Sequence, residues 1–77
     1  MIKGLIMLHT IEDVKEFVRI VTKYNYEIDL SSGRYYVDAK SVLGIFSLDL
    51  TKAIEIIIHV EKADELMEEL KQYFVEK

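Results

Sequence analysis

Few residues in this chain are able to do chemistry. It has two histidines, His9 and His59, and no cysteine, which excludes thiolate nucleophiles, disulfides and Cys-based metal sites. A zinc site would need both histidines to converge with carboxylates, and their spacing brings nothing together. His59 reads as an outward strand residue and His9 as a loop residue, so no metal site is expected. Gly4, Gly33 and Gly44 are scattered; neither a phosphate loop nor a dinucleotide turn is present, and no cofactor is expected. Asp64, Glu65, Glu68 and Glu69 stand at helical spacing. They read as a solvated helix face, two of them complementing the helix dipole, rather than as an acid–base pair. Tyr24, Tyr26, Tyr35 and Tyr36, beside Lys23 and Arg34, would suit base stacking. Neighbouring strand residues point oppositely, however, so Tyr26 and one of Tyr35 and Tyr36 are expected in the core, which leaves too small a platform. Ser41 is more informative. It opens a short apolar segment, where a hydroxyl caps a helix and a phosphoserine would meet backbone N–H groups and the positive dipole end.

The elements that position these groups follow from periodicity. Met1 to Leu8 is nearly continuous in apolar residues and predicts a strand. Thr10, with Asp13 three residues on, has the form of a capping box. Ile11, Val14, Phe17, Val18 and Val21 recur at helical spacing, which predicts a helix from Ile11 to Lys23. Tyr26, Ile28 and Leu30 alternate with Glu27 and Asp29, Ser31-Ser32-Gly33 is turn chemistry, and Arg34 to Asp38 resumes as a strand, making a hairpin. Ser41 to Leu48 predicts a short helix, although Gly44 weakens it by roughly 1 kcal/mol relative to Ala. Ile54, Ile56, Ile58 and Val60 predict a strand. Ala63, Leu66, Met67, Leu70 and Phe74 predict a last helical stripe. The order β-α-β-β-α-β-α suits an α+β fold of two layers, three helices covering one face of a four-stranded sheet.

Composition narrows the classes further. The 77 residues suit one small domain spanning 1–77, and 51% hydrophobic with 31% charged residues is a globular balance. Fourteen acidic against 10 basic residues give a formal charge of −4, whereas a nucleic-acid binder carries a basic footprint. No apolar run reaches the ~18–20 residues of a membrane span, and Met1-Ile2-Lys3-Gly4-Leu5 lacks the features of a secretory signal. The expectation is a soluble cytoplasmic protein without nucleic-acid or membrane partners.

The stretch Asp38-Ala39-Lys40-Ser41-Val42-Leu43-Gly44-Ile45-Phe46-Ser47-Leu48 resembles the centre of HPr, the histidine-containing phosphocarrier of the bacterial sugar phosphotransferase system. There a Lys-Ser-apolar-apolar-Gly-apolar-apolar-Ser-Leu run opens the second helix. The resemblance extends without a gap over residues 11–75. Lys23-Tyr24-Asn25 through Leu30, with Gly33 in the hairpin, is similar to the family's second and third strands. Lys52 to Ile58 is similar to its fourth strand, and Ala63-Asp64-Glu65 to the start of its last helix. The family's fold, an open-faced β-sandwich with a four-stranded antiparallel sheet, agrees with the order derived from periodicity.

The resemblance fails where the family does its chemistry. HPr proteins carry a Gly-x-His-Ala-Arg-Pro loop whose histidine takes a phosphoryl group from phospho-enzyme I. Here the stretch is Leu8-His9-Thr10-Ile11-Glu12-Asp13, with Thr10 at the histidine position and Glu12 at the arginine position. Two carboxylates where the family places a cation would repel an incoming phosphate. Ser41 matches the serine that HPr kinase phosphorylates with ATP in many Gram-positive bacteria, and Lys40 is its neighbouring cation. Val42, Leu43 and Phe46 match the family's docking patch. If Leu43 and Phe46 are the outward pair, they leave an exposed apolar patch of the kind that marks a partner site. The resemblance therefore implies a divergent HPr-like regulatory or interaction module, not an enzyme. Its partners would be HPr kinase, a transcription regulator or phosphotransferase components, and Ser41 its phosphoacceptor. Two alternatives stand: a phosphocarrier using His9, and a protein-binding module with no phosphorylation.

Overall fold

The computed structural model describes residues 1–75 of the chain. Strands β1 (Ile2–Ile6), β2 (Ile28–Ser32), β3 (Tyr35–Asp38) and β4 (Ile54–Ile58) alternate with helices α1 (Ile11–Val21), α2 (Val42–Phe46) and α3 (Asp64–Leu70) in the expected order. The sheet order is β1-β4-β2-β3, every pair antiparallel. Register explains why β4 is central. Ile54, Ile56 and Ile58 face Ile6, Gly4 and Ile2 of β1, while Ile56 and Ile58 also face Leu30 and Ile28 of β2. These residues look into the helix layer, where Val14, Phe17, Ile20, Val21, Ile45, Leu66 and Leu70 close the core. No charged or polar residue is buried among those described. The opposite face of the sheet carries Lys3, Glu55, Asp29 and Tyr36, with Ile57 flanked in register by Lys3 and Asp29.

Element ends depart from the periodicity for identifiable reasons. β1 closes at Ile6, short of the expected Leu8. Helix α1 stops at Val21 rather than Lys23, because bonds from Lys23 N–H to the Ile20 carbonyl and Tyr24 N–H to the Val21 carbonyl tighten the last turn. The Thr22 hydroxyl also donates back to the Val18 carbonyl at 2.9 Å. Ile11 lies on the helical stripe but is exposed, and Ile20 takes the buried place beside Val21. β2 starts at Ile28, not Tyr26, and β4 ends at Ile58, where Val60 N–H turns back onto the Ile58 carbonyl.

The last helical stripe is corrected at its end. α3 gives way to a 3₁₀ turn over Lys71–Tyr73, and Phe74 is extended. The chain leaves the helix to pair with β1: Met7 N–H donates to the Tyr73 carbonyl and Val75 N–H to the Leu5 carbonyl, covering part of that strand's free edge. Tyr73 rather than Phe74 is then the buried aromatic, its ring edge-on to Phe17 at 5.9 Å. Phe74 lies against Gly4, where an added Cβ would meet its ring at 2.5 Å.

Candidate functional site

Two helix starts are the places where this fold could hold a phosphoryl group, and they differ in charge. At α1 the capping box forms, shifted by one residue. The Thr10 Oγ1 accepts from Asp13 N–H at 3.0 Å, and the Asp13 carboxylate accepts from His9 N–H at 2.9 Å. The return bond thus falls on His9 rather than on the cap residue itself. Glu12 and Asp13 put two carboxylates in the first turn. The His9 side chain is exposed, and no hydrogen bond to its ring occurs among the described residues.

At α2 the first turn has no acidic residue. Ser41 is extended, with φ −106° and ψ 109°, and its Oγ accepts from Gly44 N–H at 3.0 Å. Its side chain is half-buried. Gly44 lies close to its neighbours: a Cβ there would stand 3.2 Å from the Val37 Cβ on β3 and 3.2 Å from the Ser41 Oγ. Lys40 is not turned toward Ser41. Its Nζ donates to the Tyr24 carbonyl at 2.7 Å, and its N–H donates to the Asp38 carboxylate. Val42 is half-buried and Ile45 fully buried, whereas Leu43 is 84% and Phe46 41% exposed. The outward pair is therefore Leu43 and Phe46. Beside them an open groove of about 440 Å³ is lined by Arg34, Tyr35, Ser47, Asp49 and Lys52 together with the hairpin turn.

The other candidate groups do not converge. His9 follows the end of β1 that pairs with Ile54, and His59 follows the opposite end of β4. The His59 Nε2 lies 2.9 Å from the Asp29 carboxylate on the open face. No cluster of three His, Asp or Glu side chains suited to a metal ion occurs among the described residues. On α3, Glu69 accepts from Lys23 Nζ and from the Tyr24 hydroxyl, which ties that helix to the end of α1. Those bonds hold the Glu69 carboxyl below its usual range, the lysine contributing most. The same carboxylate pushes the Tyr24 phenol up to about 12. Spacing alone gave no signal for this clamp, since its partners lie 45 and 46 residues apart. The expectation that Tyr35 or Tyr36 enters the core is overturned: both are about two-thirds exposed, at 67% and 66%. β3 is an edge strand, and α2 approaches it at Val37, next to Gly44. Tyr26 is half-buried and stacks on Tyr24.

Sequence comparison places this arrangement. The family described as the PTS HPr component phosphorylation site matches residues 12–76. The chain belongs to the HPr family. No curated protein matches it. Solved HPr structures share its fold at low identity. HPr-C-His from Thermoanaerobacter tengcongensis superposes with a TM-score of 0.76 at 21% identity, covering 94% of this chain and 89% of that one. The phosphocarrier protein HPr of Bacillus anthracis gives 0.71 at 22%, covering 96% of each. Crh, the Bacillus subtilis catabolite repression protein described as a swapped-domain dimer, gives 0.66 at 24%, covering 90% and 82%. The fold is thus the HPr open-faced β-sandwich, and the chain is a member of a family of phosphocarriers. No helix among its described residues is long and apolar enough to cross a membrane.

Proposed function

We propose that this HPr-family protein is a cytoplasmic regulatory module that works by docking other proteins and takes phosphate on Ser41, not on histidine. One observation carries the reading: the two helix starts have opposite suitability for an anion. At α1, the Asp13 carboxylate already accepts from His9 N–H and Glu12 stands beside it in the first turn. A doubly charged phosphate about 5 Å from a carboxylate is repelled by roughly 1–2 kcal/mol even at water's dielectric constant. A helix end returns only about 0.3–1 kcal/mol, so two carboxylates outweigh it. The family match begins at residue 12, after His9 and Thr10, which accords with a changed loop.

At α2 the first turn carries no carboxylate, and the one acidic side chain bonded beside Ser41, Asp38, accepts from Lys40 N–H. Ser41 already points its oxygen at a backbone N–H. Lys40 would add its charge only by releasing the Tyr24 carbonyl. Leu43 and Phe46 stand exposed on the same short helix, which supports a docking patch next to the modified residue. Phosphorylation there would switch the surface through added charge and leave the fold intact.

The test is intact-mass analysis with site mapping after two incubations, one with ATP and HPr kinase, the other with phosphoenolpyruvate and enzyme I. Acid-stable phosphate on Ser41, lost in Ser41→Ala, is expected from the first and nothing from the second. Acid-labile phosphate on His9 would instead establish a carrier. No product from either incubation would leave a docking module without phosphorylation and end the Ser41 reading.

A further inference from the structure

The Lys40 ammonium is bonded to a neutral group although carboxylates lie nearby. Its Nζ donates to the Tyr24 carbonyl at 2.7 Å, and Lys40 is half-buried. No ion pair within the described residues uses Lys40, and no other hydrogen bond to that carbonyl occurs among them. A pocket of about 200 Å³ lies beside it, lined by Asn25, Tyr26, Glu27, Asp29 and Asp38. Two of its three carboxylates have other partners: Asp29 lies 2.9 Å from the His59 Nε2, and Asp38 accepts from the Lys40 N–H. Tyr24 is in turn a junction. Its N–H closes the end of α1 on the Val21 carbonyl, its ring stacks on Tyr26 at 5.7 Å, and its hydroxyl donates to Glu69 on α3. The Lys40 bond therefore ties the residue next to Ser41 to the turn between α1 and β2.

We propose that Lys40 is a two-position switch, holding the Tyr24 carbonyl while Ser41 is a free hydroxyl and swinging to the phosphate once Ser41 is modified. The switch rests on the Ser41 reading and goes beyond it, because the modification is then felt at the α1–β2 turn as well as on α2. Reach is not an obstacle: the two residues are neighbours, about 3.8 Å apart between Cα atoms, and the lysine stem is flexible. Charge sets the direction. An ammonium on a carbonyl has one ionised partner, whereas an ammonium on a phosphate has two and forms the stronger bond. A phosphoserine carries about −1.5 to −2 at pH 7 and three acceptor oxygens, more than any one carboxylate of the pocket. The same pocket gives water access to the released carbonyl, so its hydrogen bond is replaced rather than lost. Lys40 is thus the element with two arrangements that coupling between separate places in a fold requires. Once it leaves, the turn that presents the Tyr24 hydroxyl to Glu69 has lost a tie.

The test is carbon NMR of the full chain with phosphoserine placed at position 41 by synthesis, compared with the unmodified chain. Loss of a hydrogen bond from an ammonium moves a carbonyl carbon upfield, so the Tyr24 carbonyl carbon is expected to shift upfield on phosphorylation. Lys40→Met, which keeps the length of the stem and removes the charge, should show the same upfield shift without phosphate and no further shift with it. Lys40→Arg keeps a cationic donor and should respond to phosphate as the wild type does. A Tyr24 carbon unmoved by phosphate in the wild type would overturn the switch, and that comparison stands even if Lys40→Met does not fold. A Lys40→Met protein whose Tyr24 carbon moves on phosphorylation as far as that of the wild type would overturn it too. Because the phosphate is installed without a kinase, failure of HPr kinase to modify Ser41 would end the Ser41 reading and leave this result standing.

Discussion

Glu69 bonds two residues distant in sequence, Lys23 and Tyr24, and these bonds have consequences for pH dependence. Its carboxyl titrates below the usual 4.5 because Lys23 and Tyr24 both hydrogen-bond its charged form. A lowered carboxyl contributes stability that is complete above the unfolded value and is lost as pH falls through the folded one. The Tyr24 phenol is raised from 10.0 to about 12, chiefly by its bond to Glu69. That contribution is complete below pH 10 and is lost as pH rises from 10 to about 12. Urea unfolding across pH should therefore show both limbs in the wild type. Glu69→Gln should flatten both, and Tyr24→Phe the alkaline one; equal slopes in all three proteins would refute the clamp. The α1 start makes a second prediction at this scale. If charge is what bars phosphate, Thr10→His alone should gain no label from phosphoenolpyruvate and enzyme I, while Thr10→His with Glu12→Arg and Asp13→Ala should gain it. Labelling of the single variant would show that the carboxylates are not the obstacle.

Among the elements, α2 depends on how closely it approaches the sheet. On propensity alone, Gly44→Ala would stabilise it by about 1 kcal/mol. The added Cβ would stand 3.2 Å from the Val37 Cβ, an atom fixed to β3, and overpacking of this kind costs about 1–3 kcal/mol. We expect a net loss near ~1 kcal/mol in chemical denaturation, whereas a gain would show that α2 has room to lift. In the hairpin, Gly33 has φ +62° and Arg34 has no positive φ, the pattern of a two-residue II′ turn. The turn was legible from Ser31-Ser32-Gly33, and so was each of the α1 and α2 caps, because these are local signals. What was not legible depended on partners distant in sequence. Phe74 fits the helical stripe of α3, and only the pairing of Tyr73–Val75 with β1 pulls it away. Tyr35 and Tyr36 obey strand alternation, yet both are exposed on an edge strand, and no sequence pattern says that β3 is an edge. The Leu43 and Phe46 patch was readable as one of two outward choices, and the burial of Ile45 decides between them.

For the molecule as a whole, Phe17 is the keystone of the helix layer, fully buried and edge-on to Tyr73 beside the β1 edge. Phe17→Ala should cost about 3–5 kcal/mol, a large share of the roughly 5–15 kcal/mol that a domain of this kind possesses. The variant should melt far below the wild type; a loss under about 1 kcal/mol would mean that the helices do not share one core. The HPr sandwich is intact, and the proposed change of chemistry rests on the carboxylates of the α1 start. The most direct measurement is site-mapped mass spectrometry of the wild-type chain after incubation with phosphoenolpyruvate and enzyme I. No acid-labile phosphate is expected, and phosphohistidine at His9 would overturn the proposed function.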